Sequence, residues 1–189
     1  MLANRVRDRC GLSARGGVPY DVAAAVISLA WQEPGVALAR ARAIANARGD
    51  RAFERLVTGV KRVGNILPKE RRRLATPWES LARVFAAENA GAPFDPARFE
   101  APAEHALLDA VRRSVREIPK LEEKSSFEGV LAALSHLAGP IDAYFDAVLV
   151  NADDPKVREN RISFLAEVFA LFGRYADFQA LVEPGRPAG

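Results

Sequence analysis

At 189 residues, nearly half of them hydrophobic, the chain can bury one substantial core or two small ones, which excludes a disordered polypeptide. A single cysteine, Cys10, excludes an internal disulfide, and no Cys/His cluster suggests zinc. The charged start MLANRVRDRC does not fit a signal peptide, and no apolar run approaches the ~20 residues of a membrane span, so a soluble cytoplasmic protein is expected.

The apolar spacing is helical almost throughout, with no convincing alternation of period two. Ala3 to Cys10 reads as a short helix, followed by a glycine-containing stretch to Val18. Asp21 to Gln32 places Val22, Val26, Ile27 and Ala30 inward, and Pro34 opens a helix ending before Gly49. Asp50 then caps a longer helix whose stripe is Phe53, Leu56, Val57, Val60, Gly64 and Leu67, closed by Pro68. Lys69 to Ala75 reads as a basic loop, and Thr76-Pro77-Trp78-Glu79 has capping-box spacing for a helix to about Asn89. Gly91 to Pro102, with three prolines, reads as an irregular linker.

Pro102 to Ile118 is amphipathic, Ser125 or Ser126 caps a helix to about Ala138, and Gly139-Pro140 turns the chain into Ile141 to Val150. The final helix, Pro155 to about Val182, has two apolar rows: Phe164, Val168, Leu171 and Tyr175, and Leu165, Phe169, Phe172 and Ala176. So wide a face belongs inside a bundle. The expectation is an all-α bundle of about eight helices over residues 20–182, after an N-terminal extension (1–19) and before a disordered tail (183–189).

Charge is unevenly spread. Net charge is +3, but Arg51 to Arg73 holds eight Lys/Arg against Glu54 and Glu70, a local +6, and the rest nets −3. A basic segment on an acidic body fits an anionic partner through counterion release, or simply a solvated helix face.

Two runs carry a resemblance. Phe145, Asp146, Val148 and Val150, then Asp154, Val157, Arg158, Asn160, Arg161 and Ile162, match an F-D-x-V-x-V run followed by a hydrophobe-Arg-x-Asn-Arg-hydrophobe run. Upstream stands Lys61-Arg62-Val63-Gly64-Asn65-Ile66-Leu67. In this order the runs resemble the DALR anticodon-binding domain that closes the beta subunit of bacterial glycyl-tRNA synthetase. The resemblance covers Asp50 to Leu67 and Pro140 to Leu181, extending toward Tyr20; Leu149 and Asn151 depart from a run that usually holds methionine. The chain is far shorter than such a subunit, so the resemblance implies a piece beginning just upstream of the anticodon-binding bundle.

The resemblance implies glycine tRNA as partner, with the alpha subunit and the rest of beta; it implies no membrane and no DNA. It implies no catalytic site, metal or cofactor in this chain, with ATP and Mg used elsewhere in the whole enzyme. Glycine anticodons end in two cytosines, whose N4 donor and ring acceptors call for acceptor and donor side chains. Lys61, Arg62 and Asn65 form a candidate reading set, Lys69, Arg71, Arg72 and Arg73 candidate phosphate contacts, and Arg158 and Arg161 an anion-favouring pair near the positive end of the last helix. Each has a structural alternative: Asn65 bonding a loop backbone, Asn160 serving the fold, Arg161 pairing with Asp154, Glu159 or another helix. Trp31, Trp78 and Tyr144 could stack on bases or pack in the core. His105 and His136 lack nucleophile partners, and Asp142 with Asp146 reads as a solvated pair. The competing reading is a helical module docking onto the alpha subunit or other beta domains.

Overall fold

The computed structural model describes residues 17–30, 32–86 and 91–182. The expected Ala3–Cys10 helix, residues 11–16, Trp31 and the tail from Glu183 lie outside the described residues. Among the described residues the chain is all-α: α1 (Tyr20–Ala30), α2 (Pro34–Ala47), α3 (Arg51–Ile66), α4 (Trp78–Val84), α5 (Pro102–Glu123), α6 (Phe127–Ser135), α7 (Ala138–Ala147) and α8 (Pro155–Gly173). Short 3-10 turns occupy Lys69–Arg71, Pro96–Arg98 and Phe178–Ala180.

α3 begins where its cap dictates. The Asp50 carboxylate accepts from Ala52 N at 2.7 Å and Phe53 N at 3.0 Å, satisfying two of the first turn's orphan donors. All six residues of the expected stripe are buried. α8 starts the same way: Asp154 accepts from Lys156 N and Val157 N, and Pro155 fills the first helical position. From Asn160 to Gly173 it is buried on nearly every face, only Ile162 being partly exposed. Both expected rows lie in the core, and α8 is the axis against which α3 and α4 pack.

Several boundaries differ from expectation. α4 is short and starts at Trp78; Thr76 forms no capping box, and its carbonyl instead accepts from Arg174 Nη1 at 3.5 Å. α5 continues through Pro119, because Ile118 and Leu121 pack on the core and outweigh one missing N–H bond. Ser126, rather than Ser125, caps α6 by accepting from Gly129 N at 3.2 Å. Gly139 and Pro140 lie in the first turn of α7, where proline needs no donor. α8 stops at Gly173, where the basic loop crosses: a Cβ there would stand 2.5 Å from the Arg73 carbonyl oxygen, and Ala75 N donates to Gly173 O at 2.9 Å.

Candidate nucleic-acid interface

The buried stripe of α3 dictates its opposite. Arg51, Arg55, Thr58, Arg62 and Asn65 recur at intervals of four and three residues, so they share the outer row, and all five are exposed. Lys69, also exposed, follows in the succeeding 3-10 turn. The inner side is pinned by close approaches. A Cβ on Gly59 would stand 3.1 Å from Ile141 of α7. One on Gly64 would collide with the Gln179 amide and come within 2.9 Å of the Phe169 ring. The glycine in K-R-V-G-N-I-L therefore lets α3 lie directly on α8 and the Phe178–Ala180 turn.

Two cations of the outer row are oriented by α7. The Arg62 guanidinium sits over the Phe145 ring, 4.4 Å from its centroid, a cation–π placement that leaves the guanidinium edge open to water. Arg55 Nη2 meets Asp142 Oδ2 at 2.8 Å, both side chains roughly half exposed. Lys61 lies on the neighbouring row, half-buried, and its carbonyl accepts from Gln179 Nε2 at 3.4 Å. Lys61, Arg62 and Asn65 thus stand in the last turns of α3, Arg62 and Asn65 on its outer row and Lys61 on the next, and Lys69 follows in the succeeding turn.

The remaining predicted cations, read as phosphate contacts, each bond within the fold. Arg71 bonds Glu159 at 2.6 Å and Ser163 Oγ at 3.2 Å, and Arg73 pairs with buried Glu167. Glu159, Ser163 and Glu167 are successive turns of one α8 ridge, so the loop is fastened along it. Arg72 donates through Nε at 3.1 Å and Nη2 at 3.0 Å to the Leu67 carbonyl, closing the C-terminus of α3.

The Arg-x-Asn-Arg run likewise holds loops. Arg158 Nη1 donates to Ala152 O at 3.0 Å. Asn160 brackets Asp95, accepting from its N–H at 2.7 Å and donating to its carbonyl at 3.0 Å. The Gly91–Pro102 segment is thereby no loose linker: Phe94 and Phe99 are buried, stacked with ring centroids 6.1 Å apart and resting on Phe164.

Arg161 is the most committed of all. Its side chain is 7 % exposed, with Nε 3.0 Å from Glu104 Oε1, Nη2 2.8 Å from Glu100 Oε2, and Nη1 donating to Leu149 O at 3.1 Å. Glu104 is fully buried and also accepts from Glu100 N at 2.8 Å and Ala101 N at 2.9 Å. Burial by itself would raise the Glu104 pKa; the Arg161 hydrogen bond and the two backbone donors outweigh it and hold the carboxyl below its ordinary value. The Glu104 hydrogen bond in turn raises Arg161. Neither Asp154 nor Glu159 is its partner, since Asp154 caps α8 and Glu159 takes Arg71.

Together Arg158 and Arg161 grip the carbonyls of residues 152 and 149, fixing the turn between α7 and α8. Val148 and Val150 point into the core from that turn, and Leu149 stands 70 % exposed. Of the candidate aromatics among the described residues, Tyr144 is fully buried, and half-buried Trp78 lies under Arg174, 5.5 Å from guanidinium to ring centroid. His105 lies edge-on to Phe99, and Asp142 serves Arg55 rather than Asp146. Among the described residues no helix is long and apolar enough to cross a membrane.

Sequence reading missed Arg51 and Arg55 as members of the outer row, although the complement of the buried stripe specifies them. It also missed Glu104 as the partner of Arg161. The only available signal was a carboxylate at the third position of a proline-started helix.

No protein-family model matches the chain. It is similar to proteins named glycine–tRNA ligase beta subunit: 36% identical over 162 residues to that of Phenylobacterium zucineum, covering 86% of this chain and 22% of the relative. The beta subunit of Syntrophus aciditrophicus is 30% identical over 88% of the chain, and that of Actinobacillus pleuropneumoniae 34% over 87%. The chain spans about a fifth of the length of these relatives.

Proposed function

We propose that this chain is the anticodon-binding part, of DALR type, of a glycine–tRNA ligase beta subunit, and that it recognises the anticodon loop of glycine tRNA without catalysing a reaction itself. In the assembled enzyme it serves aminoacylation carried out elsewhere, beside the alpha subunit and the rest of beta. The observation that carries this reading is the exposed end of α3, where Arg62, Asn65 and Lys69 stand outward with Lys61 beside them. The similarity to beta subunits over most of the chain supports it.

Chemically, the set suits an unstacked RNA loop. Asn65 offers both a donor and an acceptor to a cytosine edge. The Arg62 guanidinium, kept flat by Phe145, presents a plane and an edge to a base or a phosphate. Lys61 and Lys69 supply positive charge without base preference. Arg71 to Arg73, Arg158 and Arg161 act indirectly, by holding the loop and the turn that flank this end.

Titrating the purified chain with glycine tRNA and with an anticodon-swapped control tests the reading. Tighter, salt-dependent binding of the glycine tRNA is expected, and Lys61→Ala/Arg62→Ala should weaken it by about 1–3 kcal/mol. Equal binding of both RNAs, or unchanged binding by the folded double variant, rejects it.

A further inference from the structure

The cationic row does not end where the candidate reading set ends. Arg51 and Arg55 continue it toward the N-terminus of α3, exposed and in line with Arg62. At 1.5 Å per residue, Arg55 lies roughly 10 Å and Arg51 roughly 16 Å from Arg62 along the axis. A groove beside them is lined by Glu54, Thr58 and Asp142. Between the cations the row carries only Thr58 and Asn65, both hydrogen-bonding side chains. The row itself carries no apolar or aromatic side chain to anchor a protein partner. Cations four and seven residues apart along one exposed row, with Thr58 between Arg55 and Arg62, suit a phosphodiester backbone.

We infer that Arg51 and Arg55 form a phosphate track, which binds the RNA backbone flanking the bases read near Arg62 and aligns the strand along α3. Asp142 competes for this track: its ion pair with Arg55 must open, or share the guanidinium, when a phosphate arrives. This inference rests on the proposed RNA recognition but assigns residues outside its reading set. Direct contact is required for an effect, because at 0.1 M salt the screening length of about 10 Å mutes the remote field of Arg51 at Arg62.

The test is a titration of the chain with glycine tRNA and the anticodon-swapped tRNA at several salt concentrations. Arg51→Ala/Arg55→Ala should weaken both RNAs by about tenfold at 0.1 M salt and lower the slope of log affinity against log salt by about 1.4, as for two lost single-strand contacts. Asp142→Ala should tighten both by about twofold, whereas Glu117→Ala on α5, with the same change of net charge, leaves binding unchanged. If the double variant keeps wild-type affinity and slope while Lys61→Ala/Arg62→Ala still weakens binding, the track is overturned and the anticodon reading stands. A loss confined to the glycine tRNA would make these arginines base readers and also overturn the track. If the wild-type chain binds neither RNA, both fall. Capture of purified alpha subunit that depends on Arg51 and Arg55 would then reassign the row to an acidic protein partner.

Discussion

α3 and α8 start alike and use their arginines in opposite ways. Each opens on an aspartate that caps its first turn, and each carries one of the two motif runs. α3 is amphipathic, so its outer row meets water, with Arg55 paired to exposed Asp142 and Arg62 lying over the Phe145 ring. α8 is enclosed from Asn160 onward, and a guanidinium on an enclosed helix must find carboxylates or carbonyls inside the protein. Arg161 does so with Glu104, and Arg158, nearer the open end, with a single carbonyl. Two basic motifs of similar appearance are therefore placed differently, one on an exposed row and one enclosed.

The largest effect that can break this contrast comes from Arg161. Arg161→Ala leaves a fully buried Glu104 without its counter-charge and should destabilise the fold by about 3–5 kcal/mol in urea unfolding. Arg161→Met with Glu104→Gln should recover more than half of that loss, because no uncompensated charge stays inside. The native fraction of the repaired variant should bind glycine tRNA with the wild-type salt slope. A single variant of near wild-type stability whose RNA binding is lost would place Arg161 back at the interface.

Next comes Asn160. Asn160→Ala removes both hydrogen bonds to the Asp95 backbone, each worth about 0.5–1.5 kcal/mol. Because that bracket fixes the segment holding Phe94 and Phe99, amide exchange should quicken there before it quickens in α3. Uniform exchange across both regions would show that the segment holds itself without Asn160.

Much of this was written in the spacing of the sequence. The stripe of α3, the double row of α8 and both aspartate caps follow from periods and capping chemistry alone. The destinations of the arginines do not, because Arg161 lies 57 residues from Glu104 and Arg73 94 from Glu167, and spacing carries no record of such pairs. α5 passes through Pro119 because core packing of Ile118 and Leu121 overrides local propensity, and α4 ends at Val84, short of Asn89. The outer row of α3 was legible as the complement of the buried stripe, yet Arg51 and Arg55 went unassigned because the matched run of residues begins at Lys61.

The gentlest probe of the contrast is pH. Glu104 titrates below its ordinary range in the folded chain, so it contributes stability that is fully present above the unfolded carboxyl value of about 4.3 and is lost as pH falls through the folded value. Asp154 is also lowered, by hydrogen bonds from Lys156 N and Val157 N, and shifts stability in the same direction from the exposed end of α8. Urea midpoints should therefore change little between pH 7 and 5 from these groups and fall below about pH 4. Glu104→Gln should lower the midpoint at pH 7 and flatten the acid fall, because the ionised form that Arg161 stabilises is gone. Because α3 lies directly on α8, its amides should lose protection in acid only together with those of α8. Earlier loss in α3 would mean that the two helices unfold independently and that the buried pair does not govern the acid limb.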